Sequence, residues 1–246
     1  MRAQSAFVIA LAFVVPGTSS AQAQTERVFI GVNGTLQASD NSFRDGATFT
    51  ENAEQGQFAT DYEVKSGPAL NIGGGVRVRK ELSLGIGITR FSRTTAAEFS
   101  GSVPHPFFFS RPRGISSSIG GITRQEIAVH VQAVGHLPVG TRWQVAVFGG
   151  PSFFKLKQGL VTDFSYADQY PYDSASFASS DVTEVNESKV GFNVGTDVAF
   201  YFTQRLGVGG LVQFAKATIA APSAGSGTVD VAVGGVQYGG GLRVRF

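Results

Sequence analysis

The last eleven residues, Val236 to Phe246, alternate without a break. Val236, Tyr238, Gly240, Leu242, Val244 and Phe246 share one face; Gln237, Gly239, Gly241, Arg243 and Arg245 share the other. Period 2 is the signature of a β-strand. A water-soluble chain has no use for an apolar strand face that finishes on an aromatic. A barrel in a membrane does, because its last strand closes on its first and its outer face meets lipid.

The opposite end reads as an address. Arg2 precedes an apolar run from Ala6 to Val15, which Pro16 and Gly17 break, and Ala21-Gln22-Ala23 is a small-x-small cleavage pattern. Ten apolar residues fall short of the roughly 20 that a spanning helix needs. The expected organisation is a signal peptide over 1–23 and one barrel domain over 24–246. Twenty basic and 18 acidic residues give near-balance rather than a nucleic-acid surface. With no cysteine in an exported chain, hydrogen bonds and packing must hold the fold.

Eight alternating runs follow, near 27–38, 68–79, 82–92, 124–137, 142–155, 189–202, 206–216 and 229–246. Turns of three to five residues alternate with connections near 39–67, 93–123, 156–188 and 217–228, as periplasmic turns alternate with extracellular loops in an outer-membrane barrel. Val78 and Leu82, Leu137 and Trp143, and Phe202 and Leu206 flank the three short turns on the apolar face. Each pair encloses an odd number of residues, which keeps both side chains on one face of the hairpin. The fold class expected is all-β, an eight-stranded antiparallel up-and-down transmembrane barrel. Phe58, Thr60, Tyr62 and Val64 also alternate, extending the second strand or adding another, with ten strands as the fallback.

The polar faces carry glycine beside long polar side chains, among them Arg77, Glu126, Asp197, Arg243 and Arg245. Glycine weakens an exposed strand, but inside a narrow barrel it makes room for side chains that fill the lumen. No charge interrupts the middle of an apolar face, where it would cost about 2–4 kcal/mol at the bilayer midplane. Trp143, Phe200, Phe202, Tyr238 and Phe246 fall near strand ends, where an aromatic girdle belongs.

On these residues the mature chain resembles the small eight-stranded outer-membrane barrels of Gram-negative bacteria, the OmpA-like barrel-domain family. The ending, with Tyr238, Gly241, Val244 and Phe246, looks like the C-terminal signal read by the outer-membrane assembly machinery. The resemblance implies an outer-membrane address and, as partners, that machinery, membrane lipid and lipopolysaccharide. Cell-wall tethering, which larger relatives owe to a further domain, is not carried over.

Chemistry is sparse. His130 and His136 share a face but lie about 20 Å apart along a strand, too far for one metal ion. No Gly-x-Ser-x-Gly elbow occurs, and no serine of matching parity follows His130 closely, so no catalytic residue, cofactor or metal is expected. Arg77, Arg243 and Arg245 are candidates to pair with Asp197 and Glu126 across the lumen, as a plug or a gate. The second long connection holds Phe107, Phe108, Phe109, Arg111 and Arg113, candidates for contact with an extracellular ligand of unknown identity. The third, from Asp163 to Glu187, reads as a mobile solvated loop. The expected role is therefore non-enzymatic, structural or surface-interacting, with a narrow channel as alternative and a lipid-modifying enzyme third.

Overall fold

The computed structural model describes residues 27–38, 41–139 and 142–246. The expected signal peptide and its cleavage site lie outside these residues. Ten strands form: β1 Val28–Ala38, β2 Asn41–Glu51, β3 Glu54–Val64, β4 Gly67–Arg79, β5 Leu82–Val103, β6 Arg113–Pro138, β7 Trp143–Gln169, β8 Ser174–Tyr201, β9 Leu206–Pro222 and β10 Thr228–Arg245. Eight of them close an antiparallel ring in the order β1, β4, β5, β6, β7, β8, β9, β10 and back to β1. The closure is continuous, from Phe29 opposite Arg245 to Ala38 opposite Val236.

The remaining two strands continue the first hairpin upward. β2 pairs with β3, and β3 pairs with the upper part of β5, from Gln57 opposite Ser102 to Tyr62 opposite Ala97. The alternation through Phe58, Tyr62 and Val64 thus belongs to a strand of its own, separated from β4 by Lys65 and Ser66. The stretches expected as loops at 93–123 and 156–188 are largely strand instead. The Asp163–Glu187 segment in particular is a β7–β8 hairpin, not a mobile loop.

These extensions hold because each strand reverses its inside-outside pattern partway along. On β5, Leu82, Leu84, Ile86 and Ile88 point outward, while the inward residues are Ser83, Gly85, Gly87 and Thr89. Beyond them the inward positions turn apolar: Phe91, Ala97, Phe99 and Val103 are all buried. β9 does the same, changing from outward Val208, Val212 and Phe214 to inward Ala215, Ala217, Ile219 and Ala221, with Lys216 and Thr218 now outside. The molecule has a base that is apolar outside and largely polar inside, apart from a small cluster of Val134, Ala146, Phe148 and Leu211, and a head built the opposite way.

The head core joins Phe58, Tyr62, Phe99, Leu156, Leu160 and Ile219, with Phe164 set against Phe58 and Phe99 at 5.1 and 5.0 Å between ring centroids. Removing that much apolar surface from water stabilises strands that their polar outer faces alone would leave solvated. Outside the base, Trp143 packs on Phe200 at 5.0 Å near the short turns. A second aromatic row missed from the sequence, Phe153, Phe192 and Phe214, marks the upper border of the base's apolar outer face.

Candidate functional site

Two places gather chemistry: the interior of the base and the tip of the head. In the base, Arg243 donates from Nε and Nη2 to the Asp197 carboxylate and from Nη1 to Asn33 Oδ1 at 2.6 Å. Asn33 donates on to Asn71, and Asn71 to Gln213, so a chain of side chains crosses the lumen. Gly31 and Gly209 make the space for it. A Cβ on Gly209 would lie 3.0 Å from Arg243 Nε.

Glu126 takes a different partner from those expected. Arg124, two residues along β6 and on the same inward face, donates to it at 2.6 Å and also reaches Gln158 and the Ala232 carbonyl. The second Glu126 oxygen accepts from Gln37 and from the Gly234 backbone N–H at 2.9 Å. That bond holds β10 at a kink where Gly234 and Gly235 have φ of 87° and 139°, which other residues rarely adopt. Arg245 instead stacks over the Tyr201 ring and donates to the Gln204 carbonyl. Arg77 forms no ion pair among the described residues. Parity placed Glu126 and Arg124 on one face, and that signal was readable.

His130 and His136 both lie inside the barrel, as their shared parity predicts. Ser152 Oγ lies 2.8 Å from His130 Nδ1, supplied by the neighbouring strand β7 rather than by sequence proximity. Asn193 donates to the same Ser152 oxygen, and Thr89 takes the other His130 nitrogen. His136 sits between Ser83 and Gln144. His130 and Ser152 are both wholly buried, with no exposed surface for a substrate to approach. Within the lumen a void of about 90 Å³ is lined by Asn71, Gln132, His136, Asp197 and Arg243, among others. Above it lie the Arg124–Glu126 layer and then the apolar core of the head. No group of three or more potential metal ligands occurs among the described residues.

At the tip, three turns meet. Phe107, Phe108 and Phe109 stand 67%, 54% and 72% exposed between β5 and β6; Phe107 meets Tyr172 of the β7–β8 turn at 5.1 Å between ring centroids, and Tyr170 of that turn is 88% exposed. His105, buried beneath them, accepts the backbone N–H of Phe107 and Phe108 at Nδ1, at 3.1 and 3.2 Å. Arg113, expected as a contact residue, is buried: it bonds Asp168 at 2.6 Å, Pro104 O at 2.8 Å, and the Tyr172 and Ser174 carbonyls. Glu54 accepts the Ser110 N–H, and Glu51 accepts the Tyr166 hydroxyl. Arg111 lies over the Phe108 ring at 5.5 Å. Beneath the tip, burial pushes the Tyr62 phenol up to about 12, and its oxygen accepts the Val161 N–H at 2.7 Å. Burial, with the Glu51 hydrogen bond, raises Tyr166 to about 12 as well.

No protein-family model matches the sequence, and no curated protein matches it. Among solved structures, the chain is similar to Neisserial surface protein A at 10% identity, over 89% of this chain and 97% of that one, with a TM-score of 0.45. It is similar to Ail, the attachment invasion locus protein of Yersinia pestis, at 10% identity over 89% and 99%, TM-score 0.37. The outer membrane protease OmpT from Escherichia coli aligns at 8% identity over 94% and 100%, TM-score 0.47. Likenesses this distant say nothing of activity or partner.

Proposed function

We propose that this protein is an outer-membrane barrel whose closed base anchors a rigid extracellular head, and that the head's aromatic tip makes contact with a partner outside the cell. The base supports the membrane assignment through its belt: Leu36, Leu84, Ile86, Val147, Val194 and Leu242 face outward with the rest of an apolar surface that water does not favour. The N-terminal segment would direct export, and the strand ending in Tyr238, Gly241, Val244 and Phe246 would be read by the assembly machinery. Belt and girdles would then sit against membrane lipid and lipopolysaccharide.

The observation that carries the contact role is the run Phe107-Phe108-Phe109. Three neighbouring phenylalanines exposed to solvent are poorly explained by folding, and His105 and Arg113 hold their turn in place. Rigid, exposed aromatics lose little entropy on binding and are favoured at contact surfaces. A channel role has less support, since the lumen is filled at two levels, and a hydrolase role less still, since the Ser152–His130 pair is sealed in the wall.

The test is attachment. A naive bacterial host expressing the protein should gain adherence to cultured cells or matrix-coated plates. The variant with Phe107, Phe108 and Phe109 replaced by Ser should lose it while remaining a heat-modifiable barrel. Full adherence by that variant would refute the tip as the contact surface.

A further inference from the structure

The head carries a second feature that the tip does not use, a groove of about 630 Å³ on the outer wall formed by β2, β3 and β5. Strand register defines it. Gly46 lies opposite Ala59, and Ala59 opposite Ser100, so small residues form a continuous row across three strands. One row up, Thr48, Gln57 and Ser102 stand side by side. The β9–β10 turn supplies the side wall through Ser223, Gly225 and Ser226, tied to β2 where the Asp45 carboxylate accepts from Ser223 Oγ and the Ala224 N–H.

The floor is fixed by backbone. A Cβ on Gly46 would lie 2.2 Å from the Phe58 carbonyl oxygen, so a larger residue there would force the sheet apart. Thr48, Gln57, Ser102 and Ser226 have no side-chain hydrogen-bond partner among the described residues, although all four border the groove. Scattered surface hydroxyls are merely hydrated. Here hydroxyl and amide groups converge on one concavity within the size range of small-ligand sites.

We propose that this groove binds a short neutral oligosaccharide. Hydroxyl and amide groups can both donate to and accept from sugar hydroxyls, and the small floor lets a ring approach the sheet closely. Charge points the same way. Among the described residues lining the groove, Arg44 is the one charged side chain, and Asp61 at 3.8 Å, with Glu98 opposite Asp61 in register, leaves no excess positive charge for a sulfated or phosphorylated chain. The chemistry fits two sources, the core sugars of surrounding lipopolysaccharide and a foreign glycan.

The experiment uses the full barrel refolded in a detergent without a sugar headgroup, with saturation-transfer NMR and titration as readouts. The probes are maltotriose, N-acetylated chitotriose, the neutral outer-core hexose oligosaccharide of lipopolysaccharide freed of its acidic and phosphorylated inner-core sugars, and dextran sulfate. At least one neutral probe should bind, and dextran sulfate should not compete with it. Ala59→Leu, which fills the floor, should weaken binding about tenfold or more, and so should Gln57→Ala combined with Ser102→Ala. Each variant is checked for the heat-dependent gel shift of a folded barrel. Binding confined to the core oligosaccharide assigns the source to the surrounding membrane, and binding of the free trisaccharides assigns it to a foreign glycan. Replacing the three tip phenylalanines should leave binding unchanged, which separates this site from the adhesive tip. No binding by any neutral probe, equal binding of dextran sulfate, or undiminished affinity in folded Ala59→Leu would each overturn the proposal.

Discussion

Arg113 Nη1 lies 2.6 Å from Asp168 Oδ1, and this one pair joins two turns whose residues stand 55 positions apart in sequence. The same guanidinium reaches Pro104, Tyr172 and Ser174 carbonyls, so a side chain that looked like part of a contact patch is the fastener beneath it.

Arg113→Ala should therefore loosen the tip without dissolving the barrel. Chymotrypsin should cut at Phe107–Phe109 about tenfold faster or more, because local opening that is easier by about 1.4 kcal/mol raises the cleavable population tenfold. The gel shift of the folded barrel should persist. An unchanged cleavage rate would show that the turn holds itself.

The reversal of faces on β9 gives a three-way test. Val212→Arg, outward in the belt, should block assembly, since the charge faces lipid at about 2–4 kcal/mol. Thr218→Arg, six residues along on the same outer face but in the head, should be tolerated. Ala217→Arg should collapse the head core, where that position is buried. Equal yields of folded protein from Val212→Arg and Thr218→Arg would contradict the border between base and head.

Tyr62 links the β3 wall to the β7–β8 hairpin. Tyr62→Phe leaves the Val161 N–H buried without an acceptor, at a cost of about 1–3 kcal/mol, and should lower the head's resistance to denaturant. The raised phenol adds a pH dependence. Its stabilising contribution is full below the unfolded value near 10 and falls as pH rises from 10 through about 12. Hydrogen exchange in the head should quicken over that window in wild type, and more weakly in Tyr62→Phe.

The purified barrel should show no steady conductance in planar bilayers. Asp197→Ala strands the buried Arg243 charge and should destabilise the base by about 3–5 kcal/mol, seen as a lower temperature for the gel shift. It should still not conduct, because the Arg124–Glu126 layer and the apolar head lie above it. Discrete openings in either protein would restore the channel reading.

Much of the base was legible in the chain. Period-2 alternation is local, and the three short turns preserve its parity, so strand borders at 82, 206 and the C-terminal closure follow from sequence spacing alone. The upper hairpins were harder to see. Between residues 156 and 188 the pattern is broken by register shifts at Val161/Asp163 and Ser165/Tyr166, so the period wavers although the pairing continues. Composition there is polar because the outer face is solvated, and polar composition is also what a loop has.

What the sequence determined by itself is the alternation: which side chains share a face, and hence that Arg124 accompanies Glu126 and that Leu84 opposes Gly85. Only the tertiary structure decided which face becomes the inside at each height, because that depends on the neighbours a closed ring supplies. Ser152 meets His130 and Asp168 meets Arg113 through strand pairing and turn convergence over tens of residues. Register along one strand is a local property, but contact across a barrel is fixed only when all eight strands have closed.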